Sequence, residues 1–373
     1  MLDIAARHSM RLGYRWSPTK CAVLNAPPTR PFSLYSEELP CVDEFVYLGL
    51  PFLKAGLSTD ALLRRRTSGT LLAMATLQAI GARPSGFSAL LSSRLYRQFI
   101  RPKFEYGLAI SRLTAPNSKA LEQLQDRCLR MITGGHRTSS MTVFRHLCDL
   151  PSMKDRALTL GMKFCTRLEY LPDDCLLILL LPILSPYGRL SFLKKNPLYV
   201  SLPSPTPLQL KPFVLEHRHK QLQIHRTHQK KRLLKGCRPT IGIDPIMYLP
   251  ATRLERSRLI RWRMGWLPGK PRPCPCGTDH TSRRHLAQCP MLPRHLWEAL
   301  PISPEDNHPL DFAISQIPCS LAEPPPYWPA LLSLLYRIDQ LCLAEGNLAL
   351  EPEPGSSWTA PLPLPARSPS PPL

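Results

Sequence analysis

Three cysteines and a histidine, Cys274, Cys276, His285 and Cys289, share one short stretch with the spacing C-x-C-x8-H-x3-C. Thiolates and imidazoles are the usual donors to Zn2+, and four of them complete a tetrahedral shell with no position left for water. The chemistry expected is therefore structural: a zinc ion that holds the fold, not one that activates a nucleophile. Pro275 stiffens the link between the first two sulfurs, and Gly277 lets the chain turn away. Thr281 or Ser282 can cap a short helix that Pro290 stops, and on that helix His285 and Cys289, four apart, point the same way. The single residue between Cys274 and Cys276 is shorter than the commoner two-residue gap, and His280 competes for the histidine place from a turn. The alternative is three free cysteines beside a surface histidine. The other cysteines of the twelve are scattered. No secretory signal opens the chain, so a reducing compartment is expected, nucleus or cytoplasm.

The second chemical feature is charge. The 373 residues carry a formal net charge of +21, with 43 prolines against 18 glycines. The charge is uneven. Residues 301–373 hold eight carboxylates against Arg337 and Arg367, a balance of −6, which leaves +27 on the first 300 residues. A surface that positive repels itself without an anionic partner, and a polyphosphate is the natural one. A solvated basic face without a ligand is the alternative. The most apolar run, "CLLILLLPILSP" (175–186), is too short to cross a bilayer and contains Pro182, so it reads as a core segment and no membrane partner is expected.

The elements that must position these groups are mainly helical. Residues 1–56 open with a short helix and continue as strands, "KCAVLN" and then the hairpin-like "DEFVYLGLPFL", bent at Gly49 and Pro51. At Ser58 the period becomes helical, and residues 57–172 read as five antiparallel helices with short connections. One carries Arg64, Arg65 and Arg66 in a single basic turn. Another, 87–100, stops near Pro102. A third, 118–132, places Leu121, Leu124, Cys128, Met131 and Ile132 on one stripe and ends at Gly134 and Gly135. Asp173 and Asp174, after Pro172, belong to a helix cap or exposed loop. Residues 173–250 form a proline-rich and basic connector, irregular over 182–215 and then a cationic helix at 216–236. In 251–300 the segment "RLERSRLIRWRMGW" interleaves arginines with Trp262 and Trp266, suited to phosphates and to stacking on bases, or to a core with solvated arginines. A helical segment, 301–350, follows. Residues 351–373, eight of them proline, cannot pack a core and are expected to be disordered, with polyproline II character.

The order of these pieces resembles the downstream part of a non-LTR (LINE-type) retrotransposon reverse transcriptase: "GYRWSPTKCAVLN", "FVYLGLPF", "RLYRQFIRPKFEYGLAI", "LEQLQDRCLRMITGG", "LCDLPSMKDRALTLGMKFCTRL", and last the C-x-C…H-x3-C element. The resemblance covers roughly residues 1–300. It implies a palm remnant whose final strand is led by Lys20, a primer-gripping hairpin matched by Tyr47, Leu48 and Gly49, a helical thumb that packs on a template–product duplex, and a zinc knuckle that helps to hold nucleic acid. In the family the carboxylates that hold two Mg2+ ions lie on palm strands that precede the Lys20 segment. No residue here matches them, so no catalytic residue is assigned, and Mg2+ is implied only together with that upstream palm.

The favoured function is thus binding of RNA, DNA or an RNA–DNA hybrid by a truncated reverse transcriptase that does not polymerise on its own. Candidate contacts are Lys20, Tyr47 and Gly49 in the palm-like part. In the thumb-like part they are Arg64, Arg65, Arg66, Arg94, Arg97 and Lys103. In the connector and knuckle they are Lys230, Lys231, Arg232, Arg261, Arg263, Arg283 and Arg284. Two alternatives stand beside it: a fragment of an active polymerase whose upstream part supplies the aspartates, and a host-adopted adaptor whose proline tail recruits a proline-recognising domain.

Overall fold

Strands give way to helices at Ser58, where the apolar period changes. A computed structural model describes residues 2–24, 31–184, 195–202, 206–228, 232–342 and 353–359. The protein is mainly helical, and its named strands all lie before Ser58, in two two-stranded sheets and one three-stranded sheet. The chain forms two compact units, Met1–Ala73 with Phe99–Leu124 and Ala157–Ser204, and Met74–Gln98 with Gln125–Arg156 and Pro205–Leu373. The segment boundaries expected at 57 and 172 are not those of the units. Among the described residues no helix is long and apolar enough to cross a membrane.

In the first unit Glu44–Tyr47, Leu50–Leu53 and Gly56–Leu57 form an antiparallel meander. Tyr47 pairs with Leu50 across a two-residue turn in which Leu48 (φ 49°) and Gly49 (φ 76°) are both left-handed, the geometry a tight hairpin with strand-matching twist requires. The strand expected over 20–25 is shorter: Lys20 ends a 3-10 turn, and only Val23–Leu24 pairs, with Cys41–Val42. Ser58 caps the Thr59–Ala79 helix by accepting from the Ala61 amide at 3.3 Å. Leu62, Phe104, Leu108 and Leu121 make the core of this unit. Gly107 is left-handed (φ 89°), and an added Cβ there would lie 2.7 Å from Leu50 and 3.0 Å from Leu62, so two constraints ask for glycine.

Three sequence expectations fail for identifiable reasons. Pro102 does not stop a helix. It sits at the start of Arg101–Glu105, where a missing amide hydrogen costs nothing, and the turn before it, Tyr96–Ile100, is a π-helix. The described part of the run at 175–186 is not core: it forms the Leu176–Leu184 helix, with Leu176 69% and Leu179 57% exposed. Residues 182–215 are not wholly irregular, since Asn196 caps a short helix at Pro197–Ser201 and Thr206 begins Pro207–Thr227, each with a proline in the first turn. Asp173 and Asp174 lie on an exposed turn.

The second unit is built on the basic Arg253–Arg263 helix. Thr252 and Glu255 close a capping box at its start. The apolar Trp328–Cys342 helix packs against it, burying Leu331, Leu335 and Ile338 beside Leu259 and Trp262. Glu255 has a second task. Its Oε1 accepts from the Gly355 amide at 2.7 Å. That bond holds a segment expected to be free of packing: Ser356–Thr359 is a helical turn, and Trp358 is buried edge-to-face on Trp328 with ring centroids 5.1 Å apart. A single tryptophan supplied what the surrounding prolines could not. The rest of the expected tail, 351–352 and 360–373, lies outside the described residues. Trp358→Ala is expected to cost about 3 kcal/mol, as removal of a buried tryptophan generally does, read as a lowered thermal midpoint; an unchanged midpoint contradicts this packing.

Candidate metal centre

The knuckle is shaped by its backbone before any ligand is considered. Residues 272–281 fold back on themselves. Pro273 bridges to His280, the Cys274 amide donates to Asp279 O at 2.8 Å, and the Thr281 amide donates to Arg272 O at 2.7 Å. Gly277, left-handed at φ 78°, donates to Cys274 O at 2.9 Å and closes the turn. Ser282 caps the next element by accepting from the His285 amide at 3.1 Å. The helix it starts is only Arg283–Leu286, so Cys289 is not on it, as spacing had suggested; it arrives from the turn that follows.

The four ligand atoms converge nonetheless. They lie within 4.8 Å of one another and could hold a metal ion. Cys274 Sγ is 3.7 Å from Cys289 Sγ, and Cys276 Sγ is 3.3 Å from His285 Nε2. His285 is the histidine brought to the sulfurs; His280 sits beside Asp279 with its side chain 60% exposed. Hydrogen bonding by Thr278 holds the Cys276 thiol down to about 6, which favours its thiolate form. Burial pushes the Cys289 thiol up to about 12.

The knuckle is docked through its first helical residue. Arg283 lies over the Trp262 ring, 4.2 Å from its centroid, donates to Trp262 O, and bonds Asp311 Oδ2 at 2.9 Å. His308 holds the Arg283 carbonyl at 3.0 Å. Burial lowers the Arg283 guanidinium from its usual value, with Asp311 pulling the other way.

Several candidate phosphate contacts therefore have internal partners. Arg263 is 1% exposed and bonds Asp311 Oδ1 at 3.3 Å, Ser315 Oγ at 2.8 Å and the Gly236 carbonyl. Arg261 grips Asp339 with two nitrogens, and the buried Arg258 reaches the same carboxylate at 2.9 Å. Arg261, Arg263 and Arg283 are thus engaged by internal carboxylates, while Arg284 is exposed. Trp262 is fully buried and donates to Asp311 at 2.9 Å, so it does not stack on bases. Asp311 and Asp339 were not foreseen, although a signal existed. Asp339 interrupts an apolar helix on the same stripe as Leu331, Leu332 and Leu335, where a lone carboxylate demands a buried cation.

Of the other candidates, Lys20, Arg64, Lys103 and Tyr47 are exposed in the first unit. Arg65 pairs with Glu44 at 2.6 Å. Arg66 is turned to the hairpin: it donates to Gly49 O at 3.1 Å and lies over the Tyr106 ring at 4.8 Å, while Tyr106 Oη donates to Leu48 O at 3.0 Å. Arg94, Arg97 and Arg232 are exposed in the second unit. Lys230 and Lys231 lie outside the described residues. Comparison with protein-family models, curated proteins and solved structures finds no match to this chain.

Removing one partner of a buried ion pair strands the other charge, at a cost of about 3–5 kcal/mol. Asp339→Ala is expected to lose stability on that scale in denaturant titration. Glu298→Ala, which breaks the exposed pair with Arg294, is expected to leave the midpoint in place. Equal effects from the two contradict the assignment.

Proposed function

We propose that this protein binds nucleic acid through exposed arginines and lysines on a helical body braced by a zinc knuckle, in the manner that its resemblance to the thumb and knuckle of a non-LTR retrotransposon reverse transcriptase implies. The observation that carries the reading is the imbalance left after the interior is accounted for. The buried arginines Arg258 and Arg263, and Arg261 and Arg283 beside them, face Asp311 and Asp339, yet Arg64, Arg94, Arg97, Lys103, Arg232 and Arg284 stand exposed on a chain with +27 over its first 300 residues. Such a surface attracts the phosphate backbone with little regard to sequence.

The ligand set argues for the metal. Thiolates with one imidazole suit Zn2+ over harder cations. A tetrahedral ion with Zn–S bonds of about 2.3 Å places two sulfurs about 3.8 Å apart, against 3.7 Å for Cys274 and Cys289. A disulfide would need about 2.05 Å. Four protein ligands leave no open position, so the ion's role is to hold the loop.

Two outcomes follow. Purified protein is expected to carry one zinc per chain by elemental analysis, lost in the Cys274→Ser/Cys289→Ser variant together with a fall in thermal midpoint. A folded, metal-free wild type excludes the zinc. Binding to a duplex or RNA–DNA hybrid is expected to fall linearly on a log–log plot against salt, by about a thousandfold or more between 50 and 200 mM if six phosphates are engaged. Arg94→Glu/Arg97→Glu flattens that slope, and a slope near zero in the wild type rejects the reading.

A further inference from the structure

A cavity of about 670 Å3 opens in the second unit between the Arg253–Arg263 helix and the loop Pro84–Ala89, within the range of sites that take organic ligands. Its walls are mainly apolar, with Phe87, Ile132, Leu254, Met264 and Trp266. No carboxylate is among its lining residues as described, whereas three arginines are. Two of these are held internally. Arg256 donates to the carbonyls of Ile246 and Leu249 at 2.7 and 2.6 Å, and Arg261 bonds Asp339. The third, Arg253, is exposed and donates to the Pro84 carbonyl. Trp266 and Phe87 are both only partly covered, and the Ser85 and Ser257 hydroxyls stand among them.

Flat aromatic faces, a few hydroxyls, an exposed arginine and no acidic group suit one chemistry: an aromatic ring with polar edges, tied to an anion. We propose that this cavity receives an unpaired nucleotide of a single strand, its base against Trp266 and Phe87 and its phosphate toward Arg253. The assignment rests on the nucleic-acid reading above and narrows it. Trp262 and Trp266 look equivalent in sequence but divide their work: the first is sealed on Asp311, and the second, with the Arg261 guanidinium over its ring 5.9 Å from the centroid, keeps a partly exposed ring for a base. Stacking tolerates any base, so the site adds affinity for unpaired strands without reading sequence.

The test uses the full chain and a labelled twelve-nucleotide oligothymidylate, compared by fluorescence anisotropy with the same strand bearing abasic residues at its centre. The base-bearing strand is expected to bind at least about fivefold more tightly and to quench tryptophan emission. Trp266→Ala is expected to abolish that difference while leaving the salt slope as it was. Equal binding of the two strands by the wild type, or a base preference that survives Trp266→Ala, overturns the site; the abasic comparison needs no variant to fold. Competition by free thymidine monophosphate at equal concentration overturns the strand as its occupant. If neither strand binds at low ionic strength, the nucleic-acid reading falls with it, whereas equal, salt-sensitive binding of both removes the cavity assignment alone.

Discussion

One carboxylate organises the second unit. Asp311 accepts from Trp262 Nε1 and Arg263 Nη1 on one oxygen and from Arg283 Nη1 on the other. It thereby joins the basic helix to the knuckle. Room for it is made by Gly236, where an added Cβ would meet the carboxylate at 2.9 Å. Burying two guanidiniums against one carboxylate is costly unless their remaining hydrogens find acceptors. Most do, in the carbonyls of Gly236 and Trp262 and the hydroxyl of Ser315, while Arg263 Nε is buried without an acceptor. Asp339 repeats the arrangement one face away with Arg258 and Arg261.

This gives the charge asymmetry of the sequence a cause. Asp311 and Asp339 both come from the acidic segment 301–373, and both neutralise arginines of the basic helix 253–263 and the knuckle. These two carboxylates act as internal counter-ions. Arg64, Arg94, Arg97, Lys103, Arg232 and Arg284 stand exposed outside those pairs.

Much of this was legible in advance. The hairpin turn at Leu48–Gly49 announced itself through Gly49 between apolar strands. The helix Thr59–Ala79 followed from its cap, Ala115–Thr133 from its stripe and Trp328–Cys342 from its apolar run, and the cluster of Cys274, Cys276, His285 and Cys289 from donor type and spacing, because each is set by residues close in sequence. Most of the failures are long-range. Whether an arginine is exposed depends on a carboxylate 48 or 78 residues away, which no local pattern reports. Trp358 packs because Glu255 and Trp328 wait for it, and Leu176 is exposed although its neighbours are all apolar. Proline misled wherever it sits in a first helical turn, as at Pro102, Pro197 and Pro207, since there it starts helices.

The arginines thus fall into two populations by their partners, and chemical modification reads that separation directly. Phenylglyoxal labelling followed by mass mapping, with and without an RNA–DNA hybrid, is predicted to leave Arg258 and Arg263 unreactive in both states and to show Arg64, Arg94, Arg97 and Arg284 reactive alone but protected by the hybrid. Reactive Arg258 and Arg263, or exposed arginines labelled equally in both states, would contradict it.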